Sequence, residues 1–98
     1  MDFKVILTPT AREDLREIVE FIAKDNREAA EKFGYMLIDK ALSLANFPER
    51  GRAVPEFNEE QTREINLRSY RIIYYVDKIH REVYVVRFWH AARGEPFL

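Results

Sequence analysis

Three segments decide the fold: Arg63-Glu64-Ile65-Asn66-Leu67, Tyr70-Arg71-Ile72-Ile73-Tyr74-Tyr75-Val76 and Glu82-Val83-Tyr84-Val85-Val86-Arg87-Phe88-Trp89. Each is rich in β-branched and aromatic residues and alternates with a period of two, the spacing that sends successive side chains to opposite faces of a strand. Ser69 marks a tight bend between the first two, and Asp77-Lys78-Ile79-His80-Arg81 reads as the hairpin turn between the last two. Three consecutive short-linked strands form an antiparallel meander.

Upstream the period changes to that of a helix. Apolar residues recur at Ala11, Leu15, Ile18, Val19, Ile22 and Ala23, with Arg12, Glu13, Arg16, Glu17 and Glu20 left for water. The start has two candidate caps. Thr8 can cap with Pro9 at the first helical position, or Thr10 can cap with Glu13 completing a capping box. Asp25 or Asn26 caps a second helix, whose stripe runs through Ala30, Phe33, Leu37, Ala41 and Leu44. Gly34 lies inside that helix at a cost of about 1 kcal/mol relative to Ala, and a small residue there would suit a close approach of the two helices. The connection is a few residues long, so the helices, roughly 15 and 20 residues by their stripes, form an antiparallel hairpin. Phe3 to Leu7 reads as a first strand, and residues 48–62, with Pro48, Gly51 and Pro55, as a long surface loop. The order is β-α-α-β-β-β. That is an α+β domain, a helical hairpin packed on one face of a mainly antiparallel sheet.

A chain of 98 residues is expected to form one domain spanning 1–98. Apolar residues make up 47% and charged ones 34%, which suits a soluble globule. No apolar run approaches the roughly 18 residues a membrane span needs, and the start shows no signal peptide. With no cysteine there is no disulfide framework and no thiolate metal site, and cytoplasm is the default location. The net charge of −1 hides a split: residues 1–60 carry 9 Lys/Arg against 13 Asp/Glu, and residues 61–98 carry 7 against 4. A basic C-terminal part suits an anionic partner there, and equally a chance unevenness among so few charges.

Alternation sorts the strands into faces. Ile65, Leu67, Tyr70, Ile72, Tyr74, Val76, Tyr84, Val86 and Phe88 are expected to face the helices. Glu64, Asn66, Arg68, Arg71, Ile73, Tyr75, Val85, Arg87 and Trp89 are expected on the outer face, because a buried unpaired guanidinium is too costly for the core. Arginines interleaved with aromatics suit an RNA strand with stacked bases or a protein-binding surface. They equally suit a solvated face with structural pairs, such as Arg71 or Arg87 with Glu64, and Trp89 suits either an exposed contact or packing under the C-terminal tail.

His90 ends the last strand and can serve as a general acid or base, or as a packing and hydrogen-bonding residue. His80 falls in a turn. Two histidines without matching carboxylate spacing leave no metal site. Glycines at 34, 51 and 94 are too scattered for a phosphate loop, and Ser43 and Ser69 sit in no nucleophile-like setting, so no cofactor is implied.

Several phrases resemble the ParE/RelE toxin superfamily. They are Leu7-Thr8-Pro9-Thr10-Ala11-Arg12-Glu13-Asp14-Leu15, Ile18-Val19-Glu20-Phe21-Ile22-Ala23 and Phe47-Pro48-Glu49-Arg50-Gly51-Arg52, then Ser69-Tyr70-Arg71-Ile72-Ile73-Tyr74-Tyr75-Val76 and Val85-Val86-Arg87-Phe88-Trp89-His90 followed by Ala91-Ala92-Arg93. Their order and spacing cover nearly the whole chain. The resemblance implies the toxin of a type II toxin–antitoxin system, of the kind tied to plasmid stabilisation. It also implies a cognate antitoxin wrapping the toxin in a hetero-oligomer, and no membrane.

The superfamily divides by target. RelE-like members are ribosome-dependent mRNA endonucleases (mRNA interferases), so that branch implies catalytic roles for Arg71, as stabiliser of phosphorane charge, and for His90, as acid or base. The Lys-x-Lys of that branch is replaced here by Glu64 and Asn66, and Phe97 lacks the hydroxyl of its late tyrosine. ParE-like members inhibit DNA gyrase without hydrolysis, and long helices fit that branch better. The favoured expectation is therefore a non-catalytic gyrase inhibitor, with Arg68, Arg71, Ile73, Tyr75, Arg87, Trp89 and Arg93 as the target- or antitoxin-binding surface. The alternatives are the ribosome with mRNA as target, or a non-toxic protein-binding module.

Overall fold

The computed structural model describes residues 2–97. β1 (Lys4–Leu7) leads into α1 (Pro9–Ala23), α2 (Arg27–Leu42) and a 3-10 turn (Ser43–Ala45). β2 (Arg52–Ala53), β3 (Thr62–Leu67), β4 (Tyr70–Asp77) and β5 (Glu82–His90) follow, then a second 3-10 turn (Ala91–Arg93). The sheet order is β1-β5-β4-β3-β2, antiparallel except for the parallel pair β1–β5. The α+β architecture is the expected one, with the addition of β2 as an edge strand inside the segment read as loop.

Both helices begin where the side chains dictate. Thr8 Oγ1 accepts from the Ala11 amide at 3.2 Å, with Pro9 in the first turn, so Thr8 rather than Thr10 is the cap. Asn26 Oδ1 accepts from Ala29 N at 3.0 Å, so Asn26 rather than Asp25 caps α2. A methyl group on Gly34 would lie 2.9 Å from Val19 Cγ2, and the bare backbone there is what lets the helices close on each other. Ala30, Phe33, Leu37, Ala41 and Leu44 are buried as their spacing requires, the last four in one cluster with Ile65, Ile72, Tyr74, Val76, Val83, Val85 and Phe88 of the sheet.

β5 departs from strict alternation. Tyr74 pairs with Val85 while Ile73 pairs with Arg87, so Val86 is an extra residue in the strand. This bulge shifts the phase by one. Val83 and Val85 face the helices before it and Phe88 after it. The expectation that Tyr84 and Val86 point to the helices and Val85 away is corrected for that reason.

The outer face is also not open to water. Val54, Ile73 and Trp89 are fully buried there in a second, smaller cluster with Phe57 and Val86. The 54–57 segment covers this face from one side. The C-terminal tail covers it from the other: Trp89 Nε1 donates to Gly94 O at 3.1 Å, and the Phe97 ring meets the indole edge-on at 5.3 Å. No helix among the described residues is long and apolar enough to cross a membrane.

Candidate functional site

Arg71 sits on β4 opposite Asn66 of β3 and Trp89 of β5. Its Nε donates to Glu64 Oε1 at 2.5 Å. Its Nη1 and Nη2 donate to Glu56 Oε2 and Oε1 at 3.1 and 2.8 Å. Glu64 is fully buried on β3, and its other oxygen takes both Nε and Nη2 of Arg52 at 2.6 Å. Two guanidinium groups and two carboxylates thus alternate as Glu56–Arg71–Glu64–Arg52, with no net formal charge. The Glu56 hydrogen bonds push the Arg71 guanidinium further towards its charged form, and Arg71 in turn holds the Glu56 carboxyl below its ordinary range. Of the pairings weighed from sequence, Arg71–Glu64 forms and Arg87–Glu64 does not.

Arg87 is buried in a different role. Its Nε and Nη2 each reach an Asp14 oxygen at 2.8 Å, Phe88 N donates to the same carboxylate at 3.1 Å, and Nη1 donates to Phe97 O at 2.9 Å. β1 pairs with β5 only as far as Val85. Asp14, reaching down from α1, takes over as the partner of the β5 edge beyond that point. Asp14 has no place in the apolar stripe or in the water-facing set read from the sequence, because a carboxylate is not counted as a core residue. The signal was its spacing: Ala11, Asp14 and Ile18 are the buried residues of α1, so Asp14 lies inside the apolar stripe.

The expected binding surface therefore divides. Ile73, Trp89 and Arg87 are buried and serve the fold, which corrects their assignment to an exposed surface; Trp89 packs under the tail. Arg68, Arg93 and Tyr75 are exposed, with Tyr75 at 40%. Arg68 occupies the β3–β4 turn in the left-handed backbone region (φ 54°), with its guanidinium 5.6 Å from the Phe33 ring centre. Arg93 lies over the Trp89 indole at 4.0 Å. Among the described residues neither has a carboxylate partner.

His90 is half-buried. Its Nδ1 accepts from the Ala92 amide at 3.0 Å, capping the last 3-10 turn, and its ring meets Tyr70 edge-on at 5.0 Å. Those contacts belong to a positioned, packed histidine. Its ring also lines a shallow cleft with Glu17, Phe21, Tyr70 and Arg93, between α1 and the end of β5. Arg71 is not part of that lining; it lines a separate groove with Arg52, Glu56 and Arg68. The two catalytic candidates therefore do not share a cleft. Among the described residues no cluster of three or more His, Asp or Glu could hold a metal ion.

Comparison with known proteins now adds to this geometry. The family model for the ParE toxin of the type II toxin–antitoxin system parDE matches residues 5–94. Among solved structures, a chain of the chromosomal ParDE system from P. aeruginosa superposes with a TM-score of 0.74 at 18% identity, over 90% of this chain and 95% of that one. A chain of the RelBE2 toxin–antitoxin complex from Mycobacterium tuberculosis gives 0.71 at 23% identity, over 92% and 99%. A mutant of E. coli toxin RelE in the free state gives 0.63 at 20% identity, over 96% and 88%. At these identities the structural likeness is one of fold. Comparison with curated proteins gives no significant match.

Proposed function

Since the chain belongs to the ParE toxin family of type II toxin–antitoxin systems, we propose that it arrests growth by binding DNA gyrase and is neutralised by a cognate antitoxin. The solved structures that share the fold include toxin–antitoxin systems and complexes, which supports an antitoxin partner. The observation that carries the choice of target is the closed Glu56–Arg71–Glu64–Arg52 array. A ribonuclease needs an unneutralised cation aimed at the scissile phosphate, where charge develops in the transition state. Here each of the three guanidinium nitrogens of the arginine at that position bonds a carboxylate, and the buried Glu64 stays paired with it whatever occupies its outward edge. Glu64 and Asn66 stand where lysines would be needed, and the His90 Nδ1 lone pair is engaged by a backbone amide.

The contact surface on this reading is Arg68, Tyr75 and Arg93, the exposed members of the expected set, and Arg71 and His90 are not catalytic. The test is direct. Purified protein should inhibit gyrase supercoiling and trap cleaved DNA, while leaving ribosome-bound mRNA intact. Cleavage of mRNA that Arg71→Ala or His90→Ala abolishes, with gyrase unaffected, refutes the proposal in favour of the endonuclease. Tight partner binding with neither activity would identify a non-toxic binding module.

A further inference from the structure

The groove at the turn end of β3 and β4 is lined by Arg52, Glu56, Asn66, Arg68 and Arg71. Arg71 turns its Nε inward to the fully buried Glu64 and its two Nη atoms outward. The outward edge is filled by Glu56, one oxygen on each nitrogen. Two parallel N–H···O bonds to one carboxylate are the geometry by which an arginine recognises an acidic side chain of another molecule. Here a loop of the same chain supplies it, and Glu56 remains about a quarter exposed while doing so.

We propose that the outward edge of Arg71 is a capture site for a carboxylate side chain of a partner protein, with Glu56 as its internal occupant, displaced when the partner docks. With Glu56 withdrawn, Arg52, Arg71 and Glu64 leave a net charge of +1, which one carboxylate neutralises. Glu64 stays in place behind Arg71 and keeps the guanidinium aimed. Arg68 lines the same groove, is exposed, and has no carboxylate partner among the described residues. It is a second cation for a neighbouring acidic residue of the partner. A carboxylate is the occupant this edge is already shaped for, as Glu56 shows with one oxygen on each Nη nitrogen; a nucleic-acid strand is the competing occupant that an oligouridine probe tests. The inference rests on the toxin–antitoxin reading only for the source of the acidic residue.

The test uses the full chain and two probes, an acetylated tetraglutamate amide and a twelve-residue oligouridine, titrated at low salt with amide chemical shifts as readout. Glu56→Gln and Glu56→Ala should bind tetraglutamate about tenfold or more tightly than the unmodified chain, a change worth about one decade on the affinity scale. The gain should vanish when Arg71→Gln is added. No gain over the unmodified chain in either Glu56 variant, or a gain that survives loss of Arg71, overturns the proposal. A larger gain for oligouridine than for tetraglutamate also overturns it and makes the groove a nucleic-acid site. Glu56→Gln keeps the side-chain shape, and circular dichroism on each variant confirms the fold. A gyrase supercoiling assay on the same preparations separates the two conclusions: absent inhibition refutes the proposed target without touching the peptide result.

Discussion

Removing the Asp14 carboxylate is the sharpest test of how the sheet is anchored to the helices. Asp14 is 6% exposed and accepts three hydrogen bonds, two from Arg87 and one from Phe88 N. In Asp14→Ala, the buried guanidinium keeps only Phe97 O and the ring faces of Trp89 and Phe97, at 4.8 and 5.6 Å. Deleting one partner of a buried pair costs about 3–5 kcal/mol, because the other charge is left desolvated. The freed Phe88 amide adds about 1 kcal/mol if water does not reach it. A total of about 4–6 kcal/mol is a large share of the roughly 5–15 kcal/mol that stabilises a domain. At roughly 5 °C per kcal/mol it lowers the melting temperature by about 20–30 °C. Urea unfolding followed by circular dichroism measures it. Arg87→Met and the double variant complete a cycle, in which a coupling of about 2 kcal/mol is expected because the double variant buries no lone charge. A loss below about 1 kcal/mol in Asp14→Ala, or additive single variants, would show that the pair is idle and the anchoring argument wrong.

Three further outcomes follow from the geometry. Tyr74→Phe removes the hydroxyl that accepts from the buried Gly51 amide at 3.0 Å, and should cost about 1–3 kcal/mol in the same unfolding assay; a neutral result would mean the amide finds water. Arg68→Gly relieves a left-handed residue (φ 54°) and should stabilise the fold by about 1 kcal/mol, unless the Phe33 contact outweighs the strain, which a lower melting temperature would reveal. The Glu56 carboxyl is held below its ordinary value of 4.5, chiefly by the Arg71 hydrogen bond, so its stabilising contribution is complete above that pH and is lost as pH falls through the lowered value. Glu56→Gln should therefore flatten the decline in stability on acidification below about pH 4.5; parallel curves for the two proteins would show that the contact does not stabilise the fold.

The helices and the β3–β4 hairpin were legible because their signals are local. A Thr-Pro start, an Asn cap, a stripe at helical spacing and clean alternation in Tyr70–Val76 each constrain only a few neighbouring residues. The β5 bulge was not legible. Val85-Val86 are both apolar, so the run alternates equally well in either phase, and only pairing with β4 selects one. The covered outer face was missed because its cover comes from segments without periodicity, Val54 to Phe57 and Gly94 to Phe97. At the candidate site, Glu64 was recognisable as a partner of Arg71 because it lies on the next strand on the same face. Glu56 was not, since only the path of an irregular loop brings it there.

The parallel pair β1–β5 places Lys4 beside Glu82 and Leu7 beside Val85. β1 thus waits for β5, and Asp14 waits for Arg87 over a separation of 73 residues. Such long-range closure is slow relative to helix and hairpin formation. A nascent or truncated chain ending at Arg81 has neither the neighbour of β1 nor the cation that satisfies Asp14. It presents the helical hairpin with much of its apolar face uncovered, a state open to proteases. The surface built on β5, with Arg87 and Trp89 in place, therefore forms only after the whole of β1 to β5 is available to the same sheet.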